Sequence, residues 1–269
     1  MLLKRAGHRI VAVSGRADTV WRAEKYLRGV PVVPPRQAAQ GAQVVLIGVP
    51  DDLIRGVCSQ ISTGLQRGVV LCHLSGSLGL DVLAPAAHWG ISPLSIHPLQ
   101  TVPDVESGLK RIPGCSFAVT AANESTAQVG ERLVRDAGGV PFRIRPEDKP
   151  LYHAAAVFAS NYLTTVEAIA ERLFAAAGVK DTRSALGPLA IATLSNVIRQ
   201  GPAKALTGPV VRGDVGTLER NLEALKQGAP EAIPAYTALA RAALGMAERD
   251  GTLSWQDVKN VEEVLRRWT

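Results

Sequence analysis

Aromatic side chains are scarce: 269 residues carry four Phe, four Tyr and four Trp, about 4% of the chain. Packing therefore falls to Ala, Leu and Val, which suits helix-on-sheet and helix-on-helix cores. A stacking platform for single-stranded nucleic acid needs exposed aromatics beside basic residues, and this composition excludes one. The net charge is +6, yet Lys and Arg are scattered with no basic run. That argues against a nucleic-acid partner and reads as generic surface charge, with a preference for small anionic ligands, NADP included, as the alternative. Cysteine is also rare. Cys58, Cys72 and Cys115 form no CxxC pair and have no metal-ligand spacing. An odd count of this kind reads as reduced thiols, so no disulfide framework and no metal site are expected. No apolar run approaches the roughly 18 residues of a membrane span. The opening MLLKRAGHRIVAV has no separate apolar region with a cleavage site. A cytoplasmic protein is expected.

What is present is a change of pattern near residue 147. Before it, short apolar strands alternate with helical stretches. The strands are expected at Arg9–Val13, Val30–Val33, Gln43–Val49, Val69–Leu74, Ile91–Ile96, Ser116–Thr120 and Val140–Ile144. Helices are expected at Asp18–Leu27, with Asp18 as N-cap, and at Leu53–Ile61, Leu78–His88 and Glu124–Ala137. This order implies a doubly wound parallel sheet of the Rossmann type. After it, the pattern is helical only. Helices are expected over Leu151–Ala177, Ser184–Arg199, Val215–Gln227, Ala232–Arg249 and Ser254–Arg267. Asp214 precedes the third, and Ser254 and Asp257 are spaced as a capping box. The fold class is thus α/β followed by an all-helical domain, with domains at 1–146 and 147–269.

One absence bears on the ligand. A doubly wound nucleotide-binding sheet opens with a strand, a glycine-rich turn and a helix, and no G-x-G-x-x-G occurs in this sequence. Met1–Ala6 reads as the tail of that first helix and Gly7 as its C-cap, so the first strand is expected upstream, in a longer product, unless the chain is a natural variant that binds no dinucleotide or a domain completed by a partner. Ser75-Gly76-Ser77-Leu78-Gly79 matches neither that fingerprint nor the G-x-S-x-G elbow, and reads as a loop after a strand.

A second absence concerns the end of Arg9–Val13. NAD-binding sheets carry an acid there for the ribose hydroxyls, whereas this chain carries Ser14 and Arg16. A carboxylate would repel a 2′-phosphate and an Arg would hold it, so NADP is the expected cofactor unless the pair is an ordinary polar turn. Val49, Pro50 and Asp51 end the next long strand at the carboxyl edge, where ligands bind. The alternative for Asp52 there is the cap of the next helix. His97 leaves a strand at the same edge, as a ligand contact or a structural turn residue. His153, Ser160 and Asn161 share the first helix of the back half. Histidine can donate a proton near neutrality and Asn can orient a carbonyl, unless these residues only pair within a helical core. Leu206–Asp214 is a glycine- and proline-bearing link in which Thr207 and Arg212 could hold a substrate carboxylate or phosphate.

The segments HPLQT, LYHAAAVFASNYL and ALTGPVVRGD resemble the signatures of the Rossmann-like family whose back half is domain of unknown function 2520. That family is similar to ketopantoate reductases and the wider 6-phosphogluconate dehydrogenase-like group. The resemblance implies an NADP-dependent oxidoreductase acting on a small carbonyl or imine compound, with a homodimer formed through the helical domain. The alternative is a non-catalytic nucleotide-sensing or scaffold protein. Reductases of the wider group use a lysine on the interdomain helix. Residues 151–172 contain none, which leaves His153 as the expected proton donor, with His97 and Asn161 as its catalytic companions.

Overall fold

The computed structural model describes residues 1–268, and the chain divides into two compact units, Met1–Tyr162 and Leu163–Thr269. The change of sequence pattern at residue 147 falls in a 3₁₀ turn, Pro146–Asp148, ahead of that division.

The first unit is α/β. Its helices are α1 (Leu2–Arg5), α2 (Ala17–Tyr26), α3 (Pro35–Ala38), α4 (Asp51–Ser62), α5 (Val105–Arg111), α6 (Glu124–Asp136) and α7 (Lys149–Val157). Its strands are β1 (Val44–Ile47), β2 (Val70–His73), β3 (Ser92–Pro98), β4 (Ser116–Ala121) and β5 (Val140–Arg143). They form one sheet in chain order, with β1, β2 and β3 mutually parallel and β4 antiparallel to β3. The sheet is therefore mixed but mainly parallel, and the reversal at β4 corrects the all-parallel expectation.

Side chains alternate between faces along each strand. Val70, Cys72, Leu94, Ile96, Phe117 and Val119 fall on one face and pack with Leu133 and Val134 of α6. On the other face Ile47 and Leu71 pack with Ile54, Cys58 and Ile61 of α4 and with Leu83 and Ala86. Farther along that second face the register aligns His73, Ser95 and Thr120. These three polar side chains are buried to 1% exposure or less. A polar layer inside a sheet core needs partners: Lys149 of α7 bonds Ser95, the Ser75 N–H and Gly79 carbonyl bond His73, and the Ile144 carbonyl accepts from Thr120.

Several sequence expectations are corrected. Arg9–Val13 and Val30–Val33 meet only at an isolated parallel bridge, Val13–Val32. Pro31 and Pro34 bracket Val32 and have no N–H to extend the ladder. Leu78–His88 is not α-helical: a 3₁₀ segment spans Asp81–Trp89 with Pro85 inside it, and Gly90 ends it at φ +66°. Proline removes an α-type hydrogen bond there. Asp18 is not the cap of α2. Arg16 holds that position, and Asp18 pairs with Arg22 one turn on. Helix α5, capped by the Asp104 side chain, has no counterpart in the sequence reading.

The second unit holds α8 (Leu163–Ala176), α9 (Thr182–Gln200), α10 (Pro202–Ala205), α11 (Val215–Gly228), α12 (Ile233–Arg249) and α13 (Trp255–Arg266). The helix expected as one piece over 151–177 is α7, a π-helical turn at Phe158–Tyr162, and α8. Asp181 and Asp214 cap α9 and α11 through the backbone N–H groups of Ser184 and Thr217, and the Ser254–Asp257 capping box is formed. Leu218, Leu222, Leu244, Val261 and Leu265 make the core of α11, α12 and α13. Among the described residues no helix is long and apolar enough to cross a membrane, and no group of three or more His, Cys, Asp or Glu could hold a metal ion.

Candidate active site

Lys149 opens α7 and is completely buried. Its Nζ donates to Ser95 Oγ at 2.8 Å and to the Ser75 carbonyl at 2.9 Å. Among the described residues no carboxylate lies within ion-pair distance of it. An ammonium group held only by neutral oxygens is poorly compensated for the loss of water, and burial pulls the Lys149 pKa down from 10.5 to about 8.

The next turn of α7 adds Tyr152 and His153. The Tyr152 hydroxyl and His97 Nδ1 are 2.8 Å apart. The His97 and His153 rings meet edge to face at 6.0 Å between centroids. His97 is pushed down to about 4 by burial, by Lys149 and by His153, so it is a neutral imidazole at pH 7. His73 lies deeper. Its Nδ1 accepts from Ser75 N–H and its Nε2 faces the Gly79 carbonyl at 3.0 Å, which fixes the Nε2–H tautomer. Burial and Lys149 hold it at about 4.

The segment expected to be a plain loop, Ser75–Gly79, is the floor of this cluster. The Ser75 hydroxyl donates to Asp51 Oδ2 at 2.6 Å and accepts from the N–H groups of Ser77 and Leu78. Ser77 Oγ donates to the same Asp51 oxygen at 3.0 Å. Gly76 faces the histidines so closely that a Cβ on it would lie 2.6 Å from His153 Nδ1 and 2.8 Å from His97 Nε2. Among the described residues, His153 Nδ1 is the one buried side-chain polar atom with no hydrogen-bond partner. Leaving such an atom unpaired costs about 1–3 kcal/mol, so the position calls for a partner that the chain itself does not supply.

The residues singled out from sequence separate into groups. His97 and His153 come together, and Asp51 joins them through Ser75. Val49 and Pro50 lie just past the carboxyl end of β1, as β2 and β3 bring the serine loop and His97 to that same edge. Ser14 and Arg16 follow the Val13–Val32 bridge, with Ser14 half-buried and Arg16 exposed. Ser160 and Asn161 sit in the π-helical turn. Thr207 and Arg212 are exposed in the second unit, on the link before α11.

Lys149, Ser75 and Gly76 were not singled out from sequence. A lysine stands two residues before the stretch 151–172, because α7 begins at Lys149 and not at Leu151. A signal existed in the strands: His73, Ser95 and Thr120 interrupt apolar runs at positions that share one face.

Comparisons agree with this architecture. The family described as Rossmann-like domain matches residues 1–98, and Domain of unknown function (DUF2520) matches residues 115–243. The chain thus joins a Rossmann-like N-terminal part to a DUF2520 C-terminal part. The sequence matches no curated protein. Among solved structures, a Bacteroides fragilis protein assigned as an NADP oxidoreductase is 20% identical, with a TM-score of 0.72 over 91% of this chain and 92% of that one. Protein TM1727 of Thermotoga maritima is 23% identical, with a TM-score of 0.70 over 93% and 96%. An imine reductase from Myxococcus stipitatus, in complex with NADP+, is 14% identical, with a TM-score of 0.61 over 99% and 95%. At these identities the likeness is one of fold.

Proposed function

We propose that this Rossmann-like and DUF2520 chain is an NADPH-dependent reductase of a small anionic carbonyl or imine compound, with Lys149 as its proton donor. The observation that carries the reading is a fully buried lysine, held by two neutral oxygens, beside two histidines at the carboxyl edge of a mainly parallel sheet. That edge is where ligands of such sheets bind. The cofactor assignment is supported by fit. Gly76 leaves room where any side chain would strike His97 and His153, and Arg16 offers an exposed guanidinium beside Ser14 for a 2′-phosphate. Val49 and Pro50 would line the cofactor's path at the end of β1. The structural neighbour crystallised with NADP+ is in keeping with this.

When bound, NADPH supplies a hydride. The chain's own residues supply the remainder. An ammonium has three donors, and Lys149 commits two of them to Ser75 and Ser95. The third serves the oxygen or nitrogen that gains the electron pair. A donor that titrates near 8 is still mostly charged at neutral pH, yet acidic enough to give up its proton. His97, oriented by Tyr152, and His153 Nδ1 position the substrate. The acidic group nearest this cluster, Asp51, is engaged by two serine hydroxyls, so the cluster favours an electron-rich or anionic substrate. A 2-oxo acid such as ketopantoate is the first compound to try.

A homodimer belongs to the same proposal. Helix α9 buries only Leu186, exposes Ile191 and Ile198 at 72% and 78%, and carries no charge from Ser184 to Ile198. Exposed apolar side chains gathered on one helix mark an interaction face, and a face without charge can meet its own copy without repulsion, as pairing of two copies requires.

Fluorescence titration tests the cofactor. Saturable NADPH binding, weakened by Arg16→Glu more for NADPH than for NADH, is the expected result. Absence of binding to either nucleotide contradicts the reading and favours a scaffold protein.

A further inference from the structure

We propose that Asp51 is a positioning residue for Lys149, acting through Ser75. The proposal goes beyond the reductase reading and rests on it only for its consequence in turnover.

Ser75 connects the two residues through different atoms. Its hydroxyl donates to Asp51 Oδ2 at 2.6 Å, and its carbonyl accepts from Lys149 Nζ at 2.9 Å. The same hydroxyl accepts from Ser77 N–H and Leu78 N–H at 3.2 and 3.1 Å, which winds the loop around it. Ser77 Oγ adds a second bond to the same carboxylate oxygen at 3.0 Å. Asp51 therefore holds both ends of the turn that contains Gly76. It is the first residue of α4, so its own place is fixed by a helix packed in the core through Ile54, Cys58 and Ile61. A carboxylate in the first turn of a helix is also stabilised there by the helix dipole.

The groups facing Lys149 make Asp51 distinctive. Strand β2 presents His73, with the Cys72 thiol on the sheet's other face, β3 presents Ser95 and His97, and α7 itself carries Tyr152 and His153. Asp51 is the acidic group that acts favourably on the ammonium, whereas His73 and His97 are both disfavoured as cations by Lys149. If the carboxylate is removed, Lys149 loses a favourable charge. If the serine hydroxyl is removed, the carbonyl that holds the ammonium is no longer fixed. Both changes push Lys149 toward the neutral amine, by different routes.

The test follows Lys149 itself. In the full chain labelled isotopically at lysine Cε and Nζ, NMR titration is expected to show one lysine titrating near 8, identified by its absence in Lys149→Met. Asp51→Asn is expected to lower that midpoint by about half a unit to one unit, as loss of a nearby opposite charge does. Ser75→Ala is expected to move it the same way, and Asp52→Asn to leave it in place. If Asp51→Asn does not fold, as judged by circular dichroism, Ser75→Ala decides alone. A Lys149 midpoint equal to wild type in the folded variants overturns the proposal. The readout needs no cofactor. A shifted midpoint in a protein that binds no NADPH would sustain the Asp51 proposal and sink the reductase reading, and NADPH binding with an unmoved midpoint would do the reverse.

Discussion

Lys149 and His73 are buried and His97 is half-buried on one face of the sheet; burial lowers the pKa of all three, and the Lys149 charge lowers both histidines further. His73 and His97 are held at about 4 against an ordinary 6.5. Between these values the unfolded chain binds protons that the folded chain refuses. The stability these histidines contribute is therefore present above pH 6.5 and lost as pH falls toward 4. For His73, which is fully buried, the loss is about 3 kcal/mol. Lys149 works in a higher window: its contribution to stability rises with pH between about 8 and 10.5. Calorimetry across pH should show Tm falling from pH 6.5 to 4, more shallowly in His97→Gln. An equal slope in that variant would mean His97 is not held neutral by its surroundings. Gly76 is the other residue on which the layer turns. Gly76→Ala places a methyl within 2.6 Å of His153 Nδ1, and overpacking of this kind costs about 1–3 kcal/mol. Denaturant melts should show that loss, and a neutral substitution would mean the histidines have room to part.

At the scale of elements, the sequence is a good guide to the strands that periodicity and caps define. Strands β1 to β5 and helices α6, α9, α11, α12 and α13 lie where apolar pattern and capping residues put them, with Asp214 and Ser254 capping as their spacing implies. Proline chemistry was harder to weigh. Pro31, Pro34 and Pro85 turned two expected strands and a helix into a single bridge and a 3₁₀ segment. The start of α7 mattered most for function, since a two-residue difference hid Lys149. Helix boundaries are the least legible feature of a sequence when no capping side chain marks them, and Asp148 makes no cap hydrogen bond here. His97 and His153 were legible because their types titrate near neutrality. Ser75 and Gly76 were not, since their roles come from a carbonyl and from an absent side chain. Helix α9 offers a prediction at this scale. Light scattering should find the wild type at twice the chain mass and Ile191→Glu/Ile198→Glu at one chain mass with its helicity intact. A wild-type monomer would remove the dimer from the account.

For the molecule as a whole, the first unit gathers Lys149, His97, His153, Ser75 and Asp51 from α7, β3, the loop after β2 and the start of α4. No two of these four elements adjoin in sequence. Only the fold brings them together, through strand register that puts His73, Ser95 and Thr120 on one face beneath α7. A fully buried lysine is costly to keep, and replacing it with a well-packed apolar side chain is often neutral or stabilising. The proposed role as proton donor gives a reason to keep it. The most direct measurement follows NADPH consumption by wild type and Lys149→Met against a panel of small carbonyl and imine compounds. The account predicts turnover of at least one anionic compound by wild type. In Lys149→Met it predicts a loss of about 10²–10⁴-fold, the usual contribution of a positioned proton donor, with Tm unchanged or raised. Turnover that survives Lys149→Met undiminished would contradict it.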